Sequence, residues 1–175
     1  MTSVVLSIGS NLGDRLAYLQ SVLDGLGAAA IAASPVYQTA AWGGVEQDDF
    51  LNAVVLADDP TRDPHDWLRV AHELENAADR VREQRWGPRT LDVDLVTARE
   101  GDPAADLTIE DDVLTLPHPH AHERAFVLAP WAAVEPSATL AVGGRPCSVE
   151  TLLAALDPAE RDGVRRTEHR LQVRR

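Results

Sequence analysis

The chain has 175 residues and a formal net charge of −12, and 45% of it is hydrophobic. That length and apolar content suit one folded domain with a real core and exclude a disordered chain, while the acidic balance argues against coating nucleic acid or an anionic membrane, which needs a net basic face. All 16 basic residues are arginine, which excludes a Walker A or Schiff-base lysine, and the single cysteine, Cys147, excludes an internal disulfide or a cysteine-rich zinc site.

Val4 to Ile8 reads as a buried strand ending in Gly9-Ser10-Asn11-Leu12-Gly13-Asp14, a run of turn and capping residues. Leu16, Leu19, Leu23 and Leu26 then recur at helical spacing, with Gly27 as the stop. Pro35 to Thr39 reads as a strand, and a loop from Trp42 to Asp49 leads into a longer strand from Phe50 to Ala57. Asp63-Pro64 opens a second helix whose apolar stripe is Trp67, Leu68, Ala71, Leu74 and Ala78. A punctuated segment, Arg80 to Arg89, precedes a strand from Thr90 to Val96 and a polar excursion or hairpin from Ala98 to Asp112. A short strand near Val113 to Leu116 follows, then a helix from about Glu123 to Ala129 stopping at Pro130, and another from about Val149 to Leu156. Strand, helix, strand, strand, helix, strand is the ferredoxin-like β-α-β-β-α-β order. It predicts an α+β sandwich with a mainly antiparallel sheet, helices on one face and added C-terminal helices. Residues 1–157 are expected to form this domain. The arginine-rich tail, 158–175, is expected as a solvated helix or frayed end, with a strand or lid contact as the alternative, rather than as a separate domain.

The densest chemistry lies in Arg85-Trp86-Gly87-Pro88-Arg89-Thr90-Leu91-Asp92-Val93-Asp94-Leu95-Val96. Strand alternation gives Leu91, Val93 and Leu95 a core face and puts Asp92 and Asp94 together on the other. Two carboxylates about 7 Å apart or less repel each other unless a cation joins them, and oxygen-only ligation suits Mg²⁺. A solvated strand face is the plain alternative, although aspartate is a poor strand former. Arg80, Arg82, Arg85 and Arg89 cluster just upstream. Their guanidinium forks match phosphate oxygens, and carboxylates beside arginines are the equipment of polyphosphate transfer; the alternative is cations balancing an acidic surface. His118, His120 and His122 suggest zinc, but Pro117 and Pro119 break the geometry and no Cys or fourth ligand is near. His118 and Arg124 fit a phosphate pocket better, and His120 and His122 fit solvent. Phe50 and Asn52 share a strand face, where an aromatic and an amide can hold a planar heterocycle; a core Phe with a turn Asn would read the same way.

These blocks resemble the 6-hydroxymethyl-7,8-dihydropterin pyrophosphokinase family. The resemblance includes Gly9 to Arg15, Tyr37-Gln38-Thr39, Asp49 to Ala53 and Pro117-His118-Pro119 through Phe126, and spans roughly residues 3 to 157. It implies transfer of pyrophosphate from ATP to the pterin hydroxymethyl group, with release of AMP, in folate biosynthesis. It implies that Asp92 and Asp94 hold two Mg²⁺ ions and that Arg80 and Arg89 are catalytic. Arg82, Arg85, Trp86, His118 and Arg124 would contact ATP. Phe50 and Phe126 would sandwich the pterin, Asn52 would hydrogen-bond it, and Thr39 and Trp42 would reach its edge. His72 and Glu75 would lie near the site, with His72 where a glutamine is common. A non-catalytic ligand-binding module would explain the fold pattern but not the aspartates and arginines together. A metal-dependent nuclease would leave Phe50 and Asn52 unexplained. No secretion signal is visible and no stretch of about 20 apolar residues occurs. The expectation is a cytoplasmic monomer acting on small molecules, with no nucleic acid or membrane partner.

Overall fold

The computed structural model describes residues 2–40, 48–78 and 90–174. Strand β1 (Thr2–Ser10) is the centre of the molecule. It pairs antiparallel with β4 (Phe50–Asp59) on one side and β5 (Asp92–Glu100) on the other. Strand β3 (Pro35–Thr39) pairs with the far side of β4, giving the order β3-β4-β1-β5 with every neighbour antiparallel. Two crossovers produce that order. Helix α1 (Arg15–Leu26) carries the chain from β1 towards β3, and α2 (Pro64–Ala77) carries it from β4 over β1 to β5. This is the split β-α-β arrangement expected of a ferredoxin-like fold. A short strand β2 (Ala30–Ala33) also pairs with β4.

Both crossover helices start where their sequences dictate. The Asp14 side chain accepts a hydrogen bond from the Ala17 N–H at 3.1 Å. Asp63 and Asp66 form a reciprocal capping box ahead of α2, with Pro64 in its first turn. The helices cover one sheet face, where Val4, Leu6, Ile8, Leu51, Ala53, Val55, Val93 and Leu95 meet Leu19, Val22, Leu23 and Trp67.

The opposite face is only half covered. Helix α3 (Ala125–Val134), the hairpin of β9 (Thr139–Val142) and β10 (Arg145–Ser148), and helix α4 (Val149–Ala155) pack on Val5, Val54 and Val96. The sequence expectation of helices on one face therefore holds for α1 and α2, and the C-terminal helices account for the second layer. A bulge lies where β5 meets Val5 and Leu6 of β1, so Leu95 and Ala98 face the first core while Val96 faces the second. Helix α3 does not stop at Pro130 but runs through it to Val134, its buried face of Val127, Leu128 and Trp131 compensating for the lost backbone bond.

Two short ladders decorate the end of β5. Strand β6 (Ala105–Asp106) folds back on Arg99 and Glu100, the expected hairpin, and β7 (Ile109–Glu110) pairs with β8 (Thr115–Leu116). The arginine-rich tail is not the solvated helix or frayed end that its composition favours; it contains a strand, the alternative expectation. It forms a short helix, α5 (Pro158–Asp162), and then β11 (Val164–Arg170), which pairs antiparallel with β3 at the sheet edge. Composition favours the other reading because only Val164 and Thr167 of β11 are even partly buried, and the rest of the strand is charged or polar. Beyond it, the Gln20 side chain exchanges two 2.9 Å hydrogen bonds with the Gln172 backbone, and Leu171 and Val173 pack on the first core.

Candidate active site

The uncovered half of the second face is the floor of a cleft of about 850 Å³. Register builds the floor. Gly9 lies opposite Asn52 on one side and Asp92 on the other, and Ser7 lies opposite Val54 and Asp94. The Asn52 side chain, 4% exposed, donates from Nδ2 to Thr39 Oγ1 at 2.7 Å. Its Oδ1 overhangs Gly9 so closely that a β-carbon there would come within 2.8 Å of it. The sequence places Gly9 in a turn. Instead β1 continues through it, and the missing side chain makes room for the Asn52 amide.

The walls rise at the two ends. Half-buried Phe50 stands at the start of β4, and half-buried Phe126 in the first turn of α3, with the Arg124 guanidinium 5.6 Å from the Phe126 ring centre. Glu123, Leu156, Asp157, Glu160, Gly163 and Val164 close the remaining side. Sequence reasoning missed all of these, since it ended the domain at Asp157 and assigned no role to Glu123, Leu156 or Asp157. His120, expected in solvent, is exposed but lines this cleft, with Nδ1 3.3 Å from a Glu123 carboxylate oxygen.

A second hollow of about 260 Å³ opens at the outer edge of β5, between α2 and the segment that follows β7. Leu68, His72 and Glu75 line it from α2, and Leu114, Thr115, His118 and Pro119 from the other side. Glu75 is 4% exposed and accepts a hydrogen bond from the Val93 N–H at 3.3 Å, so a buried carboxylate holds the edge of the strand that carries both aspartates. The His118 N–H donates to the Val96 carbonyl at 2.8 Å, pinning the other side of the hollow to the same strand. Burial first, then the charges of Arg124 and His120, push the His118 imidazole down to about 4. His118 is therefore neutral near pH 7; it lines the smaller hollow, within reach of the Arg124 charge and with its ring 6.2 Å from that of His120 in the larger cleft.

The two hollows meet at Asp94. Partly buried Asp92 and exposed Asp94 both line the larger cleft, and Asp94 also lines the smaller one. Among the expected site residues, Thr39, Phe50, Asn52, Asp92, Asp94, Arg124 and Phe126 come together in the first cleft, and His72, Glu75, Asp94 and His118 in the second. Trp42, Arg80, Arg82, Arg85, Trp86 and Arg89 lie outside the described residues. Among the described residues, no helix is long and apolar enough to cross a membrane.

Comparison with known proteins points one way. A family model described as 7,8-dihydro-6-hydroxymethylpterin-pyrophosphokinase (HPPK) matches residues 5–136. A Mycobacterium tuberculosis protein named 2-amino-4-hydroxy-6-hydroxymethyldihydropteridine pyrophosphokinase is 61% identical over 168 residues, covering 94% of this chain and 89% of its own length. One of the same name from Mycobacterium leprae is 58% identical over 179 residues, covering 100% of this chain and 94% of its own. Among solved structures, Plasmodium falciparum HPPK-DHPS wild type with SDX-DHP superposes with a TM-score of 0.59 at 13% identity. The alignment covers 86% of this chain but only 43% of that larger protein, a likeness of fold.

Proposed function

The chain belongs to the 7,8-dihydro-6-hydroxymethylpterin-pyrophosphokinase family, and from that premise we propose that it transfers pyrophosphate from ATP to 6-hydroxymethyl-7,8-dihydropterin, releasing AMP, as a step in folate biosynthesis. The observation that carries the site assignment is the meeting of two unlike hollows at Asp94. One is roomy, floored by an amide and flanked by aromatic rings, as a flat heterocycle with a polar edge requires. The other is smaller and lies along the edge of β5, where it takes the nucleotide. The reacting groups then meet over the two aspartates. The pterin hydroxyl oxygen attacks the β-phosphorus of ATP, and the bond from that phosphorus to the α,β-bridging oxygen breaks, leaving AMP.

Each residue follows from its place. Phe50 and Phe126 stack on the pterin, and Asn52, held by Thr39, offers its amide to the heterocycle edge. Neutral His118 serves the nucleotide as a hydrogen-bond partner rather than a cation. Arg124 supplies positive charge beside Phe126. Asp92 and Asp94 fit Mg²⁺, because their donors are oxygen only and both line the larger cleft from alternate positions of one strand. Two such ions would neutralise the polyphosphate and lower the pKa of the substrate hydroxyl. The resemblance assigns Arg80, Arg82, Arg85, Trp86 and Arg89 to the phosphates and Trp42 to the pterin edge, with Arg80 and Arg89 stabilising charge in the transition state.

The test is AMP formation from ATP with and without hydroxymethyldihydropterin. Production of AMP only when the pterin is present supports the reading. AMP or ADP formed equally without it would mean simple nucleotide hydrolysis.

A further inference from the structure

We propose that Glu160, on the C-terminal helix α5, is a positioning residue that sets the aromatic wall of the larger cleft by capping α3 from outside its own sequence. The inference rests on the pterin reading of that cleft. Helix α3 opens at Ala125, and its N-cap residue, Arg124, makes no side-chain capping bond. The first N–H groups of a helix have no partner within it. Ala125 is 0% exposed, so water is a poor substitute there. Glu160 fills the gap: its Oε1 accepts from the Ala125 N–H at 3.2 Å. A carboxylate at a helix N-terminus also opposes the positive end of the helix dipole.

The next residue after Ala125 is Phe126, and the one before is Arg124, whose guanidinium sits over the Phe126 ring. All three side chains, Arg124, Phe126 and Glu160, line the same cleft. The chain leads from α5 directly into β11, where Val164 is the register partner of Thr39, the residue that holds Asn52. Glu160 thus ties the aromatic wall to the strand that anchors the amide floor, and it fixes the gap between them. A side chain in this role affects how tightly the flat substrate is gripped. It does not affect the nucleotide hollow on the other side of Asp94.

The test measures equilibrium binding of hydroxymethyldihydropterin and, separately, of a non-hydrolysable ATP analogue to E160A and E160Q, beside kcat, KM and exchange of the Ala125 amide hydrogen. E160A should weaken pterin binding about tenfold, the order of effect of losing a helix cap. KM for pterin should rise with it, kcat and nucleotide binding should change less than about twofold, and the Ala125 amide should exchange faster. E160Q keeps an amide oxygen that can accept the same bond and should restore most of the affinity. Unchanged pterin binding in E160A, equal loss for both ligands, or no rescue by E160Q overturns the proposal. Where E160A does not fold, E160D replaces it: one methylene shorter, it weakens the bond, the Ala125 exchange rate reports by how much, and unchanged pterin binding beside a faster-exchanging Ala125 amide, or an Ala125 amide no faster in either variant, overturns the proposal. Failure of the wild-type protein to bind pterin would instead sink the function reading, leaving the Ala125 exchange rate to judge the cap alone.

Discussion

Three single residues carry much of what this site can do, and only one of them declares its role in the sequence. Asp94 does, because alternation along a strand and the poor strand propensity of aspartate single it out. Its exposure predicts that Asp94→Asn still folds, as circular dichroism would show, while turnover at saturating Mg²⁺ falls by about 10²-fold or more; retention of more than about a tenth of wild-type activity would remove it from the machinery. Gly9 does not declare itself, since a glycine before Ser-Asn reads as a turn. Its role depends on the residue across the ladder, and only register reveals it. In Gly9→Ala the new β-carbon must displace the Asn52 oxygen, although the amide is held through its nitrogen, which donates to Thr39. Pterin binding should weaken by about tenfold, roughly one hydrogen bond's worth, with nucleotide affinity unaltered in a direct titration. His118 is legible as a site residue but not as a neutral one, because burial is invisible in sequence. Its folded pKa, about 4, lies below the ordinary value of 6.5, so the fold disfavours the protonated form. The stability it contributes is complete above 6.5 and drains away as pH falls from 6.5 towards about 4. Urea unfolding of the protein without Mg²⁺ or nucleotide should show this loss, and His118→Gln should lose less over the same interval.

At the level of elements, what the sequence made plain were the parts with a strong local cause. Both crossover helices announce their caps, Asp14 for one and Asp63-Pro64 for the other. The long strands show as apolar runs, and their order implies the sandwich. The failures have equally local causes. Proline inside Ala125–Val134 reads as a stop, yet three large buried side chains keep the helix going. The hairpin of β9 and β10 was missed although Gly143-Gly144 marks it, with φ values of 60° and 78° that suit a tight two-residue turn. Glu75 was recognised only as a polar neighbour of the site. Its bond to Val93 is a matter of tertiary contact between α2 and β5, and no spacing along the chain encodes it.

For the whole molecule, the sequence singles out the strand the two hollows share but not the residues that enclose the larger one. One strand, β5, supplies both aspartates and the boundary between two hollows, so a motif that is local in sequence is central in space. The far side of the larger cleft comes from residues 156–164, of which sequence reasoning placed 158–164 beyond the domain. A chain ending at Leu156 should therefore lose both pterin affinity and stability. Its thermal midpoint should fall by at least about 5 °C, given that ~1 kcal/mol moves a chain this long by about 2–4 °C, and scanning calorimetry reads the shift. The reason goes beyond lost contacts. With β11 present, the outermost strand of the sheet is a ribbon of exposed Arg165, Arg166, Glu168, His169 and Arg170, with a register shift between Arg166 and Arg170. Without it, the rim becomes Pro35-Val36-Tyr37-Gln38-Thr39, flat and mostly apolar, with its backbone donors and acceptors open to a strand from another molecule. The arginines that suggested a frayed tail are, in this position, an insulating border against sheet-to-sheet polymerisation at high protein concentration.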